Sequence, residues 1–107
     1  MTELSDLSLL VNLKTLNIGH NAVTTLNDIG KLPSLCVLLA NDNEIGSMMG
    51  LDQCLLLNVL VLSRNKLQKI EGLKNLKKLG KLTLSGNEIE VIMIDNRWWM
   101  GLSIWLS

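Results

Sequence analysis

The chain of 107 residues has no phenylalanine, no tyrosine and only three tryptophans, so its core must be aliphatic. It has one histidine and two cysteines, which do not stand at the spacing of a zinc site. There is no glycine-rich phosphate loop, and no apolar run reaches the length of a membrane span. These absences predict a protein without metal, cofactor, small-molecule substrate or membrane span.

The single histidine, His20, gives catalysis almost no support, because a general base needs an aligned partner group. His20 stands in a turn just before Asn21. Asp42 occupies the equivalent turn position 22 residues later, so the two side chains could form a surface pair. Asp42 and Glu44 are too few ligands for calcium. We predict that the chain is not an enzyme and that His20 is a solvated turn residue.

A regular repeat dominates what is present. Asparagine recurs every 22 residues, at Asn21, Asn43, Asn65 and Asn87. Aliphatic residues keep the same step before and after each asparagine. The first strand position holds Leu16, Leu38, Leu60 and Leu82, and the second holds Ile18, Ala40, Leu62 and Leu84. Residues that alternate in this way point to one face of a strand, and the asparagine amide can bond backbone groups that the following turn leaves unpaired.

The stretch 57–67, LNVLVLSRNKL, has the L-x-x-L-x-L-x-x-N-x-L pattern of a leucine-rich repeat. A single repeat cannot bury its apolar face, whereas stacked repeats share a core. The sequence therefore predicts an α/β solenoid with a curved parallel sheet of four strands, and a fifth if the tail adds one. We expect the sheet on the concave side and short helices or helical turns on the convex side.

The stretches LKTLNIGHNAVTTL, LLNVLVLSRNKLQKIEGLKNLKKL and GKLTLSGNEIEVI resemble the 22-residue class of leucine-rich repeats. The regulatory subunit of protein phosphatase 1 and the axonemal dynein light chain typify that class. The resemblance covers residues 7–92 and includes the I-x-G-L step at Ile70, Gly72 and Leu73. It implies an intracellular scaffold that binds proteins through its concave face, with no activity and no cofactor. Class members generally have more repeats and a C-terminal cap, so this chain resembles a short or truncated member.

Three segments follow from the register. Residues 1–12 are predicted to be a partial repeat, residues 13–92 about four repeats, and residues 93–107 an atypical tail. All three tryptophans fall in the tail, and Asp95 and Gly101 break the apolar ladder. The tail is either an aromatic cap that includes a partial fifth repeat or the altered end of a shortened product. We favour the second interpretation, because the tail would expose its tryptophans.

Location follows from the same features. The first residues have no basic region before an apolar run, so they do not resemble a secretory signal. There is no cysteine-rich cap, and Cys54 stands at a buried ladder position. We therefore expect an intracellular protein, cytoplasmic or nuclear, with reduced thiols.

Residues that alternate with the core leucines should face the concave side and form a partner-binding surface. They are Thr15, Asn17, Val37, Leu39, Asn41, Val59, Val61, Ser63, Lys81, Thr83 and Ser85. The centre of this surface is aliphatic and its rim is polar, as in a protein interface. The alternative is that these residues reflect only the preference of strands for branched side chains, and that no partner binds here. We favour binding of another protein, whose identity the sequence does not give.

A second candidate surface is basic. Seven lysines and arginines lie between Arg64 and Lys81, opposed only by Glu71. They could bind an acidic protein or a nucleic acid backbone. The alternative, a solvated face, is favoured, since no aromatic residues are interleaved to stack on bases. The other functional alternative is a truncated repeat fragment without independent function.

Overall fold

The computed structural model describes residues 11–92 and 103–105, with residues 91–92 and 103–105 described by their backbone alone. The strands in these ranges are β1 (Thr15–Asn17), β2 (Val37–Leu39), β3 (Val59–Val61), β4 (Lys69–Ile70), β5 (Lys81–Thr83), β6 (Val91–Ile92) and β7 (Ser103–Trp105). A parallel sheet has the order β1-β2-β3-β5-β7, and β4 pairs with β6 in a second parallel sheet of two strands. The parallel sheet that the repeat predicts is thereby confirmed.

The register of the main sheet reproduces the 22-residue step of the sequence. Leu16 is opposite Leu38, Leu38 is opposite Leu60, and Leu60 is opposite Leu82. The backbone of Ser103–Trp105 continues the same register beside β5, so the fifth strand that the sequence left open is present. Each repeat therefore contributes one three-residue strand at the same height in the sheet.

The return segments are tight turns rather than long helices. The only helix in the described ranges is a 3₁₀ turn at Ile29–Lys31. Elsewhere the chain makes bonds between residues three apart, as when Leu57 N–H donates to the Cys54 carbonyl at 3.1 Å. Leu51, Cys54 and Leu57 are all fully buried. Apolar spacing of three fits the three residues per turn of 3₁₀ geometry, whereas an α-helix needs 3.6.

The core is an unbroken aliphatic stack between the sheet and the return segments. Twenty-two apolar residues from Ile18 to Leu84 are buried, and Leu13, Leu16 and Ile89 pack against them half-buried. Cys54 belongs to this stack, and its thiol donates to the Ile29 carbonyl at 3.3 Å. Burial raises the pKa of the Cys54 thiol to about 11, so it stays protonated at neutral pH as an apolar side chain.

The asparagines form the ladder that the sequence predicts, and Asn65 shows its logic. Its side-chain nitrogen donates to the carbonyls of Leu62 at 2.9 Å, Ser63 at 3.2 Å and Ala40 at 3.0 Å. Its side-chain oxygen accepts the Ile45 N–H at 3.1 Å. Two of these partners belong to the same turn and two to the preceding repeat. The amide therefore closes its own turn and ties it to the neighbouring repeat.

Equivalent bonds repeat along the solenoid. Asn43 donates to the Ile18 and Ala40 carbonyls at 2.9 and 3.1 Å and accepts the Val23 N–H at 3.1 Å. Asn87 donates to the Leu62 carbonyl at 2.9 Å and accepts the Leu67 N–H at 3.0 Å. Only a side chain with a donor and an acceptor on one planar group can make both sets of bonds. This requirement explains why asparagine recurs at every turn.

Residues 1–10 of the predicted partial repeat lie outside the described residues. Of the predicted tail, residues 93–102 and 106–107 also lie outside them, including Trp98 and Trp99. Val11, at the start of the described part, is exposed. The division of the chain into partial repeat, repeats and tail stays a prediction.

Candidate partner-binding surface

Four aliphatic side chains lie on the face of the main sheet that points away from the core. Val37 and Leu39 flank the buried Leu38 in β2, and all strand neighbours of a buried residue point the opposite way. Val59 and Val61 stand opposite them in β3. All four are half-buried. We call Val37, Leu39, Val59 and Val61 the aliphatic patch; the structure brings together the residues that the sequence placed there.

Polar residues border the patch on two sides. On β1, Thr15 stands opposite Val37 and Asn17 stands opposite Leu39, and both are exposed. On β5, Lys81 stands opposite Val59 and is exposed, and Thr83 stands opposite Val61 and is half-buried. The patch therefore has a polar strand on each side, with its one cation on the β5 side. An apolar centre with a polar border is the usual composition of a protein interface.

Three predicted site residues lie beyond the strand ends and offer a partner less exposed surface: Asn41, Ser63 and Ser85. Ser63 is only 5% exposed, and its hydroxyl lies 3.3 Å from the Ser85 hydroxyl. Asn41 is half-buried and donates to the Asp42 carboxylate at 2.7 Å. Ser63 was expected on the accessible face, and its small exposed fraction leaves it little area to offer a partner. It contacts Ser85, which stands at the equivalent position of the next repeat.

One turn residue from each repeat forms a column just beyond the ends of the strands. His20, Asp42 and Arg64 have φ angles of 61°, 59° and 56°, and Gly86 takes the fourth position at 76°. This left-handed conformation is uncommon for side chains with a Cβ and suits glycine. Equivalent positions in stacked repeats place the three side chains next to each other. The sequence left a His20–Asp42 pair open and favoured a solvated His20; Nδ1 and Oδ2 are 3.5 Å apart, and the His20 side chain is 78% exposed.

The sequence did not anticipate the stronger pair in this column. Arg64 Nε donates to Asp42 Oδ1 at 2.6 Å, and its terminal nitrogen donates to Oδ2 at 2.7 Å. This two-point arrangement matches the planar guanidinium to the carboxylate. The hydrogen bonds from Arg64 and then from Asn41 hold the pKa of Asp42 well below its usual range. The same pair raises the pKa of Arg64.

The Asp42 pair predicts a specific pH dependence of stability. Its pKa is lower in the folded chain than the ordinary 3.8, so the pair stabilises the fold above that value. The contribution is lost as the pH falls through the lowered pKa. We expect Asp42→Asn to be less stable than the parent chain at neutral pH, and the difference to shrink in strong acid. Urea unfolding of both proteins across the acid range measures this, and a difference independent of pH would contradict it.

The predicted basic cluster is divided among several surfaces. All seven residues from Arg64 to Lys81 are exposed. Arg64 pairs with Asp42, and Lys66 Nζ lies 3.6 Å from Glu44 Oε1. Lys69 is on β4, Lys81 is on the main sheet, and Lys74, Lys77 and Lys78 are on the segment that leads into β5. None of these five forms an ion pair with another described residue.

Within the described ranges, no three histidine, cysteine, aspartate or glutamate side chains gather as metal ligands. Cys36 and Cys54 are both free thiols. No helix in the described part of the chain is long and apolar enough to cross a bilayer.

Comparisons with known proteins support the fold. No protein-family model matches the chain, and no curated protein matches its sequence. Among solved structures, 47 chains match. One is an internalin, InlF, from Listeria monocytogenes, with a TM-score of 0.76 and 20% identity. The match covers all of this chain and 34% of the internalin, so the chain spans about a third of that protein's length. At this identity the likeness establishes the leucine-rich repeat fold.

Proposed function

We propose that the chain is a protein-interaction scaffold of the 22-residue leucine-rich repeat class that binds a partner through the concave sheet face. The observation that carries the proposal is the aliphatic patch. Its four side chains keep part of their surface accessible at the centre of a parallel sheet, and parallel sheets normally have both faces covered. Covering Val59 and Val61 with a partner would remove apolar area from water.

The polar strands on either side support the same interpretation. Thr15, Asn17 and Lys81 supply hydrogen-bond donors and acceptors around an apolar centre, which gives a partner both contact area and orientation. Partners that fit carry aliphatic side chains flanked by polar groups, with an acidic group toward Lys81. The free thiols of Cys36 and Cys54 support an intracellular setting as part of this proposal.

Protein is favoured over nucleic acid by the distribution of charge. Arg64 and Lys66 already pair with Asp42 and Glu44, and the remaining lysines are spread over β4, the main sheet and the segment that leads into β5. The aliphatic patch offers no aromatic ring for base stacking. Phosphate contacts weaken steeply with salt, so a salt titration of binding separates the two classes of partner.

The proposal is tested by placing a charge in the patch. We expect Val59→Glu and Leu39→Glu each to reduce partner capture on affinity beads at least about tenfold, since a buried unpaired carboxylate opposes binding. Met49→Glu is the matched control, because Met49 is exposed and lies outside the main sheet. Bound proteins are quantified by mass spectrometry, and far-ultraviolet spectra confirm that each variant is folded. Full capture by both patch variants would refute the concave site.

A further inference from the structure

Two exposed leucines stand where neighbouring repeats place polar or small residues. Leu55 is 53% exposed and Leu56 is 41% exposed. The positions 22 residues earlier and later hold Pro33–Ser34 and Lys77–Lys78. The stacked geometry puts these positions side by side on the segments that lead into β2, β3 and β5. An apolar pair is therefore presented to solvent next to a pair of lysines.

Leu55 and the two lysines border a groove of about 500 Å³ between two repeats. It is lined by Asp52, Gln53, Leu55, Asn75, Lys77 and Lys78. Buried anchors fix both walls, since Leu51, Cys54 and Leu57 lie beneath the first and Leu76 and Leu79 lie beneath the second. Asn58 also donates to the Lys78 carbonyl at 3.1 Å, which ties the second wall to the start of β3. The groove is thus part of the repeat framework, and its volume is in the range of ligand sites.

The charges of the groove are unequal on its two sides. Lys77 and Lys78 are exposed and form no ion pair with a described residue, and Lys74 is exposed on the same segment. The opposite wall carries one acid, Asp52, beside Gln53. A ligand that fits therefore needs an apolar group for Leu55 and a negative charge directed toward the lysines. Asp52 and Gln53 can accept backbone N–H groups of that ligand.

We propose that this groove binds a short acidic peptide segment with a leucine-like side chain as its apolar anchor. The site shares no residue with the aliphatic patch and stands or falls independently of it. A single chain would then engage one partner at the sheet face and an acidic segment at the groove.

The shape and lining favour a peptide over other anionic partners. A membrane surface is flat and would leave the recess unfilled. A nucleic acid would find lysines but no aromatic ring on which to stack a base. A peptide can supply both an aliphatic side chain and a carboxylate within a few residues.

The test uses the acetylated peptide Glu-Asp-Leu-Leu-Glu-Asp and two-dimensional amide NMR of the full chain. We expect the peptide to shift the amide signals of Leu55, Asn75 and Lys77, and to leave those of Val37 and Asn17 in place. Leu55→Ser and Lys77→Glu should each weaken binding at least about tenfold, because one removes the apolar contact and the other reverses a charge. Met49→Ser and Lys69→Glu are matched controls outside the groove and should change the Kd less than about twofold.

Four ligand controls decide between partner classes. Lys-Lys-Leu-Leu-Lys-Lys and Glu-Asp-Ser-Ser-Glu-Asp should each bind at least about tenfold more weakly than the acidic leucine peptide. Equal binding of the basic peptide, or shifts confined to the sheet face, would overturn the proposal. So would groove-dependent binding of phosphatidylserine vesicles or of an oligothymidine in the absence of peptide binding. Leu55→Ser and Lys77→Glu act on different contacts, so if one variant fails to fold, the other still tests the proposal.

Discussion

We expect Asn65→Ala to lower the free energy of unfolding by about 2 kcal/mol, because one buried N–H loses its acceptor and three carbonyls are left with fewer donors. The asparagine is 8% exposed. Its removal deprives the Ile45 N–H of its acceptor, and the carbonyls of Ala40, Leu62 and Ser63 each lose one of two donors. Alanine fills none of these roles, and the site is too enclosed for each group to be hydrated freely.

Urea unfolding measured by circular dichroism gives the change in free energy. Asn65→Asp is the informative companion, because it keeps the acceptor and the shape but loses the donor that serves three carbonyls. It should be at least as destabilising as alanine at neutral pH. Asn58→Ala is the matched control on the surface, where one bond to the Lys78 carbonyl is lost, and should cost less than about 1 kcal/mol. Equal effects at positions 58 and 65 would show that the ladder does not hold the turns.

The second large effect is expected at Gly30, where two return segments touch. Gly30 is buried, and a Cβ there would overlap the backbone carbonyl oxygen of Gly50 in the next repeat. Backbone cannot yield as a flexible side chain can. We therefore expect Gly30→Ala to destabilise by about 3 kcal/mol, at the upper end of overpacking effects. The loss should appear as a lower urea midpoint with an unchanged slope.

Gly46→Ala is the matched control for this substitution. No atom lies within 4 Å of a Cβ at Gly46, and its φ is not in the positive range. Alanine there restricts the unfolded chain and should be neutral or stabilising by up to about 1 kcal/mol. If Gly30→Ala were as well tolerated as Gly46→Ala, the close approach of the two repeats would be wrong.

The repeat spacing was enough to predict the strands of the main sheet and their register, but not the second sheet of β4 and β6, which stands where helical turns were expected. Leu38, Leu60 and Leu82 keep one position in each repeat, and the structure pairs them across the sheet. Asn65 was predicted to bond unpaired backbone groups, and its bonds confirm this. These features are local to each repeat and are copied by the period, so the sequence alone carries them.

Features that depend on the contact between repeats were harder to predict. The sequence placed Asp42 and Arg64 at equivalent turn positions but did not indicate that the guanidinium would take both carboxylate oxygens. It gave no sign that Gly30 and Gly50 touch. These depend on side-chain reach and on the distance between turns, which the period does not specify.

The candidate sites also combine features that the sequence predicted with features that only the structure showed. Val37 and Val59 were placed correctly because alternation holds within a strand. The low exposure of Ser63 could not be predicted, because it depends on the contact with Ser85 of the next repeat. The exposed Leu55 and Leu56 had a readable signal, since apolar residues there break the polar pattern of the equivalent positions. Only the structure showed that lysines of the next repeat border them.

The central claim is that the aliphatic patch contacts a partner protein. Photo-crosslinking in cells tests it most directly, with benzoylphenylalanine replacing Val59 in one chain and Met49 in the other. The account predicts that position 59 crosslinks to one recurring protein, identified by mass spectrometry, and that position 49 does not. Crosslinks at position 49 to the same protein, or none at position 59 in a folded chain, would contradict it.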